Sequence, residues 1–179
     1  MDTSTLSHLF EGVAAVADAY TGTVVSGVSY RSDATRPGDV FFCIPGFQRD
    51  GHDFAGDAVA RGAVAVACER PLELDVPQVV VPDTRQALAT VAARLHGEPS
   101  SALDIVGITG TNGKTTTTYL LDAVLRRAGR TTGIIGTVET RVADERLASA
   151  RTTPESADLQ ELLARMVAEG VDSVSMEVS

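Results

Sequence analysis

Apolar and polar residues fall into short blocks in which unbroken apolar runs alternate with amphipathic stretches. Residues 23–30, 40–44, 63–68 and 79–81 read as strands, and the run 63–68 is apolar throughout, as a strand covered on both faces would be. Turns separate them: Arg31, Ser32 and Asp33 after the first, Pro37-Gly38-Asp39 before the second, Pro45-Gly46 behind it. An Ala-rich helix is predicted over 54–61, ended by Gly62. Asp83 with Gln86 three residues on has capping-box spacing and opens a helix carrying Leu88, Val91, Ala92 and Leu95. Residues 6–20 have only loose helical spacing and read as a helix or an irregular opening.

Gly97-Glu98-Pro99-Ser100-Ser101 breaks the pattern as a linker would, so one domain is expected over 1–98 and another over 99–179. In the second, the apolar run 103–108 suits a buried parallel strand. Residues 119–128 place Leu120, Leu121, Val124, Leu125 and Ala128 at helical spacing, with Arg126, Arg127 and Gly129 marking the end. A strand over 132–138 follows, then a polar segment, 139–151, expected as a loop or exposed hairpin. Thr153-Pro154 is expected to start a helix with proline at its first position, and Leu159, Leu162, Leu163, Met166 and Val167 give it one apolar face before Gly170. In the last strand, 171–178, Val174, Met176 and Val178 alternate with Ser173, Ser175 and Glu177. Strand, helix, strand, helix, strand is the opening of a doubly wound parallel sheet, so the fold class is α/β. Three parallel strands under two helices leave an edge unpaired, and ligands of such sheets bind beyond the strands' carboxyl ends. The sequence is therefore expected to be a fragment of a longer enzyme.

The joint between the 103–108 strand and the following helix is Gly107-Ile108-Thr109-Gly110-Thr111-Asn112-Gly113-Lys114-Thr115-Thr116. Strand, glycine-rich turn and helix in that order are the context of a phosphate-binding loop (P-loop). Glycines bring consecutive N–H groups against an anion, and the helix adds unpaired N–H groups and the positive end of its dipole. That dipole contributes only about 0.3–1 kcal/mol per charge at an exposed terminus, too little to hold a triphosphate. Lys114 is placed to supply a fixed cation, and Thr115 to give its hydroxyl to a magnesium ion on the terminal phosphates. Gly110, Thr111, Asn112, Gly113, Lys114, Thr115 and Thr116 are thus the candidate ATP-binding residues. The spacing departs from G-x-x-x-x-G-K-[ST], because Ile108 stands five before Gly113, and a chance glycine turn is the competing reading.

A hydrophobic content of 44% is ample for a core, and 15 basic against 24 acidic residues give a net charge of -9. That balance disfavours a general affinity for nucleic acid or an anionic membrane, so a polyanion must be gripped locally. Cys43 and Cys68 lie in apolar runs rather than a C-x-x-C pair and read as buried reduced thiols, which suits a reducing compartment. The apolar runs fall far short of the ~20 residues a membrane span needs, and no basic region opens the chain. A cytoplasmic protein without membrane insertion is expected. His52 reads as a loop or capping residue.

Over roughly residues 23–179 the chain resembles the Mur ligases, ATP-dependent amide-forming enzymes of peptidoglycan precursor synthesis. Three stretches carry the resemblance. They are Thr109-Gly110-Thr111-Asn112-Gly113-Lys114-Thr115; Pro37-Gly38-Asp39-Val40-Phe41 with Pro45-Gly46 and Asp50-Gly51-His52-Asp53-Phe54; and Arg151-Thr152-Thr153-Pro154-Glu155-Ser156 with Met176-Glu177-Val178-Ser179. The third is similar to the branch that adds the third stem-peptide residue rather than to the later dipeptide-adding branch. The resemblance implies a small mixed α/β uridine-nucleotide domain followed by the first part of a P-loop, doubly wound parallel-sheet ATPase domain.

By the same resemblance, ATP and Mg2+ are the cofactors, and UDP-MurNAc-dipeptide and a diamino acid the partners. ATP would phosphorylate the dipeptide's carboxylate and the incoming amine would attack the acyl phosphate, chemistry in which charge neutralisation matters more than a nucleophilic side chain. Lys114 and Glu177 would be the catalytic pair, with Thr115 and Glu177 on the metal. A solvated edge glutamate is the alternative for Glu177. Tyr30, Ser32, Phe47, Gln48, Arg49, Thr152, Thr153 and Ser179 would contact the sugar-nucleotide substrate. Three of them have a plainer reading: Thr153 as a helix N-cap, Ser32 as a turn serine, Arg49 as a solvated loop arginine. The family's usual Asp-Ser-Arg stands here as Arg31-Ser32-Asp33, which puts a role for the two flanking charges in doubt. A second metal site and an amino-acid-binding domain lie further along in the family, so this chain alone is expected not to ligate. The competing functions are a dipeptide-adding relative, a folate-type polyglutamate ligase, and a nucleotide-binding module without catalysis.

Overall fold

The computed structural model describes residues 4–46, 48–147 and 151–179. It comprises two compact units, Met1–Leu95 and His96–Ser179.

In the first unit, β1 (Ser4–Thr5), α1 (Leu6–Leu9) and β2 (Val24–Val25) open the chain, with β1 and β2 antiparallel. β3 (Gly27–Ser29), β4 (Asp39–Phe42), β5 (Ala65–Cys68) and β6 (Gln78–Val80) form a wholly parallel sheet in that order. The strand expected over 23–30 is thus two. Val25 pairs back with Ser4 and Gly27 pairs forward with Asp39, while the Ser26 N–H between them is taken by the Gly38 carbonyl at 3.0 Å. β4 and β5 are buried at every position, as the unbroken apolar composition of β5 requires; β4 buries Asp39 with its apolar residues. Phe41, Cys43, Val66 and Cys68 pack against Ala55 and Ala58 of α2 (Ala55–Ala60). On β4's other face Phe42 stacks on Phe10, their rings 6.0 Å apart. α3 (Thr84–Leu95) begins where the cap signal stands, with the Gln86 N–H donated to Asp83 Oδ1 at 2.9 Å, and it buries Leu88, Val91, Ala92 and Leu95. Both cysteines are free and buried.

The second unit contains β7 (Asp104–Ile108), α4 (Lys114–Arg127), β8 (Thr132–Ile135), β9 (Thr140–Val142), β10 (Glu145–Leu147), α5 (Ser156–Ala168) and β11 (Ser173–Glu177). Its sheet runs β10-β9-β8-β11-β7; β8, β11 and β7 are parallel, and the β9–β10 hairpin is added antiparallel. The hairpin expected within 139–151 is present, but β9 is buried rather than exposed; residues 148–150 lie outside the described residues. Val174 and Met176 of β11 face a core built with Leu163 and Met166 of α5, while Ser173, Ser175 and Glu177 alternate to the side of α4.

Three further expectations are corrected. β7 is an edge strand rather than a buried one, with Val106 43% exposed. α4 turns Thr118 and Asp122 to the sheet and leaves Leu120 and Val124 each 64% exposed. Beside Ile134 the facing surface carries the polar Glu177, Thr132 and Arg141, which pair with Thr115, Arg126 and Asp122 of α4. α5 starts at Ser156 with Glu155 as its N-cap, which places Pro154 before the helix and removes Thr153 from the cap. Among the described residues no helix is long and apolar enough to cross a membrane.

Candidate functional site

β7 leads into the glycine loop and α4 leaves it. Gly110 (φ 135°) and Gly113 (φ 81°) hold conformations that side-chain-bearing residues avoid, and Gly113 is the N-cap of α4. No side chain caps α4 and no acidic residue lies in its first turn, so the first N–H groups of a 14-residue helix remain available to an anion. Lys114 folds back over the loop and donates from Nζ to the Gly110 carbonyl at 2.7 Å. The ammonium group therefore stands over the same turn as the N–H groups. That arrangement fits a phosphate chain.

Glu177 ends β11, beside β7 in the sheet, and is 1% exposed. Thr115 Oγ1 donates to its Oε2 at 3.1 Å, and Thr137 donates twice, from N to Oε1 at 3.1 Å and from Oγ1 to Oε2 at 3.0 Å. Glu177 is thus no solvated edge residue. Gly136 makes room for it, since a Cβ at 136 would stand 2.5 Å from Glu177 Oε1. A hydroxyl and a carboxylate side by side are hard oxygen donors of the kind Mg2+ takes. Among the described residues no group of three or more His, Cys, Asp and Glu could hold a metal. Such an ion would draw its other ligands from phosphate and water, as Mg2+ commonly does.

Beyond the carboxylate, Thr152 Oγ1 lies 3.0 Å from Thr137 Oγ1. Thr153 Oγ1 donates to the Glu177 carbonyl at 3.2 Å, accepts the Ser179 N–H at 3.1 Å and lies 3.2 Å from Ser179 Oγ. A threonine hydroxyl has one hydrogen and two lone pairs. These three contacts fill them, so Thr153 fastens the end of β11 to the segment before α5. The structure brings Thr115, Thr152, Thr153, Glu177 and Ser179 together; Gly136 and Thr137 are members the sequence reading missed. Their signal is a glycine followed by a hydroxyl residue at the carboxyl end of β8, next to β11 in the sheet.

In the first unit, Tyr30 and Ser32 follow the carboxyl end of β3, and Gln48 and Arg49 lie in the loop after the adjacent, parallel β4. Gln48 and Arg49 are exposed, and the Arg49 guanidinium sits 5.8 Å from the centre of the Phe54 ring. Phe47 lies outside the described residues. Arg31 and Asp33 pair with each other at 2.8 Å on the surface. The base of the loop is fixed by His52, which is buried: Nδ1 meets Asp50 Oδ1 at 2.5 Å and Nε2 accepts the Glu69 N–H at 2.9 Å. Accepting at Nε2 sets the proton on Nδ1, so His52 is a structural hinge pin rather than a base. Asp50, bonded by the His52 backbone N–H and side chain and by Arg70, is held well below the usual carboxylate range.

Two family models match, "Mur ligase family, catalytic domain" over residues 24–96 and "Mur ligase middle domain" over 108–179. The chain belongs to the Mur ligase family. Among curated Mur ligases, the UDP-N-acetylmuramoyl-L-alanyl-D-glutamate–2,6-diaminopimelate ligase of Geobacillus thermodenitrificans is 54% identical over 143 residues, 80% of this chain and 29% of that protein. The enzyme of the same name from Streptomyces avermitilis is 48% identical over 160 residues, 87% of this chain and 31% of its own length. The chain thus spans under a third of the curated relatives it matches. A solved structure of such a diaminopimelate ligase matches 99% of this chain and 36% of its own with a TM-score of 0.85; at 24% identity this shows the shared fold. A MurF ligase from Thermotoga maritima, solved in complex with ADP, matches 86% of this chain and 32% of its own at 25% identity, with a TM-score of 0.59.

Proposed function

We propose that this chain carries the ATP loop and the sugar-nucleotide site of a ligase that joins a diamino acid to UDP-MurNAc-L-Ala-D-Glu in peptidoglycan precursor synthesis. The observation that carries the reading is the contact of Thr115 with Glu177, a buried carboxylate set beside the uncapped start of α4. Backbone N–H groups over 110–116 and the Lys114 ammonium hold the phosphates of ATP; Thr115 and Glu177 hold Mg2+. When bound, Mg2+ supplies charge neutralisation at the transferring phosphoryl group. Lys114 adds a second positive charge from the loop, which suits phosphoryl transfer to a carboxylate followed by attack of an amine. Thr152 presents its hydroxyl on the substrate side of Thr137. Tyr30, Ser32, Gln48 and Arg49 flank the carboxyl ends of two adjacent strands, where a uridine diphosphate group is read, with Arg49 as its cation.

The names of the relatives favour 2,6-diaminopimelate as the amine. UDP-sugar and ATP substrates, with two free thiols, favour a cytoplasmic setting. The test is phosphate release by the full-length protein that carries this chain. Release is expected only when ATP, Mg2+, UDP-MurNAc-dipeptide and diaminopimelate are all present. Release without the dipeptide, or none with all four, overturns the reading.

A further inference from the structure

The hydrogens around Glu177 can be assigned one by one. Thr137 has a single hydroxyl hydrogen, and the carboxylate, which only accepts, takes it at Oε2. The 3.0 Å contact between Thr137 and Thr152 hydroxyls is then donated by Thr152. The result is a directed chain, Thr152 to Thr137 to Glu177. Thr137 also sends its backbone N–H to the other carboxylate oxygen, so one residue grips both oxygens and fixes the plane of the group. Thr115 spends its hydrogen on Oε2 as well and keeps its lone pairs, the atoms a cation would use. The absence of a side chain at Gly136 leaves the space that Oε1 occupies.

We propose that Thr137 is a positioning residue for the nucleotide-bound cation: it locks the Glu177 carboxylate beside Thr115 and ties it to Thr152 on the substrate side. The inference rests on the reading that the loop holds Mg2+ and ATP. Thr137 touches neither phosphate nor metal in this arrangement; it acts by removing the rotational freedom of Glu177. A carboxylate already oriented loses less freedom when a cation arrives, so the effect falls on the gain in affinity that Mg2+ confers.

Calorimetric titration of the chain with ADP, with and without Mg2+, separates the possibilities. Thr137→Val keeps the shape and the backbone N–H but lacks the hydroxyl. It is expected to leave metal-free ADP affinity unchanged and to cut the Mg2+-dependent gain about five- to tenfold, the scale of one ordinary hydrogen bond. Thr137→Ser should restore the gain. Should the valine variant fail to fold, Thr137→Ala carries the same expectation. A Thr137→Val chain with the full wild-type gain overturns the inference alone. A wild-type chain that binds no ADP, or that gains nothing from Mg2+, contradicts the underlying nucleotide reading, and the inference falls with it.

Discussion

Thr115 Oγ1 and Glu177 Oε2, 62 residues apart in the chain, meet at 3.1 Å across the start of α4 and the end of β11. A carboxylate only 1% exposed is costly unless hydrogen-bonded, and this one is satisfied by the neutral donors of Thr115 and Thr137. Glu177→Gln is therefore expected to abolish the Mg2+-dependent gain in nucleotide affinity and to lower the unfolding temperature only slightly, because the Thr115 and Thr137 hydroxyls can turn to accept from the new amide. Calorimetry and thermal denaturation of the same variant check both halves. A variant that keeps the gain removes Glu177 from the metal.

Gly136→Ala places a methyl group 2.5 Å from Glu177 Oε1, closer than any contact allows. Either the carboxylate or the β8–β9 connection must move. A loss of about 1–3 kcal/mol in chemical denaturation is expected, as for other overpacked sites, together with loss of the Mg2+ effect. An unchanged Mg2+ effect would show that the orientation of Glu177 is unimportant.

Asp122 and Arg141 form an ion pair between α4 and β9 with both side chains at most 10% exposed, and Arg126 approaches the same carboxylate at 3.6 Å. Arg141→Ala leaves the buried Asp122 carboxylate with Arg126 alone, at 3.6 Å, and a destabilisation of about 3 kcal/mol, the lower end for a broken buried pair, is expected. Asp122→Leu with Arg141→Met should recover most of it, because the penalty belongs to the unpaired charge rather than to the missing attraction. A double variant as unstable as the single one would contradict this. Urea denaturation of the three chains decides.

Asp39 is 7% exposed and accepts the Arg36 N–H at 2.9 Å; burial pushes its carboxyl above the usual value of 3.8. A raised folded-state value means the folded chain holds this proton more tightly than the unfolded one. The stabilisation is complete below about pH 4 and is lost as pH rises through the folded-state value. Asp39→Asn keeps an acceptor for Arg36 and carries no charge. Its unfolding temperature relative to the native chain is expected to climb between pH 3.5 and pH 7; a flat difference would show that the charge is not felt.

What the sequence disclosed was what local chemistry decides. Asp83 caps α3 because a carboxylate two or three residues from free N–H groups needs no tertiary help, and β5 is buried because its composition leaves it no other place. The α/β class and the strand, glycine loop and helix around Gly113 were legible for the same reason. Hidden were the relations that depend on what lies opposite. Leu120 and Val124 look like a core face until Glu177, Thr132 and Arg141 supply polar partners for Thr115, Arg126 and Asp122. Ser26 divides one apparent strand because its neighbours pair with different partners. Pro154 has the look of a first helical residue, yet Thr153 is committed to β11 and Ser179, so the helix begins after both. Thr137 is marked only as a hydroxyl residue after Gly136; the fold brings it to Glu177.

The central claim is that the loop over 110–116, with Lys114 above it, grips a magnesium-bound nucleotide. Its most direct test is calorimetric titration of ATP with Mg2+ into the native chain and into Lys114→Met, whose half-buried position makes the change tolerable to the fold. Saturable binding by the native chain and a loss of about tenfold or more in the variant are expected, the scale of a charge-assisted contact to phosphate. Equal affinity in the two chains, or no binding in either, would contradict the account.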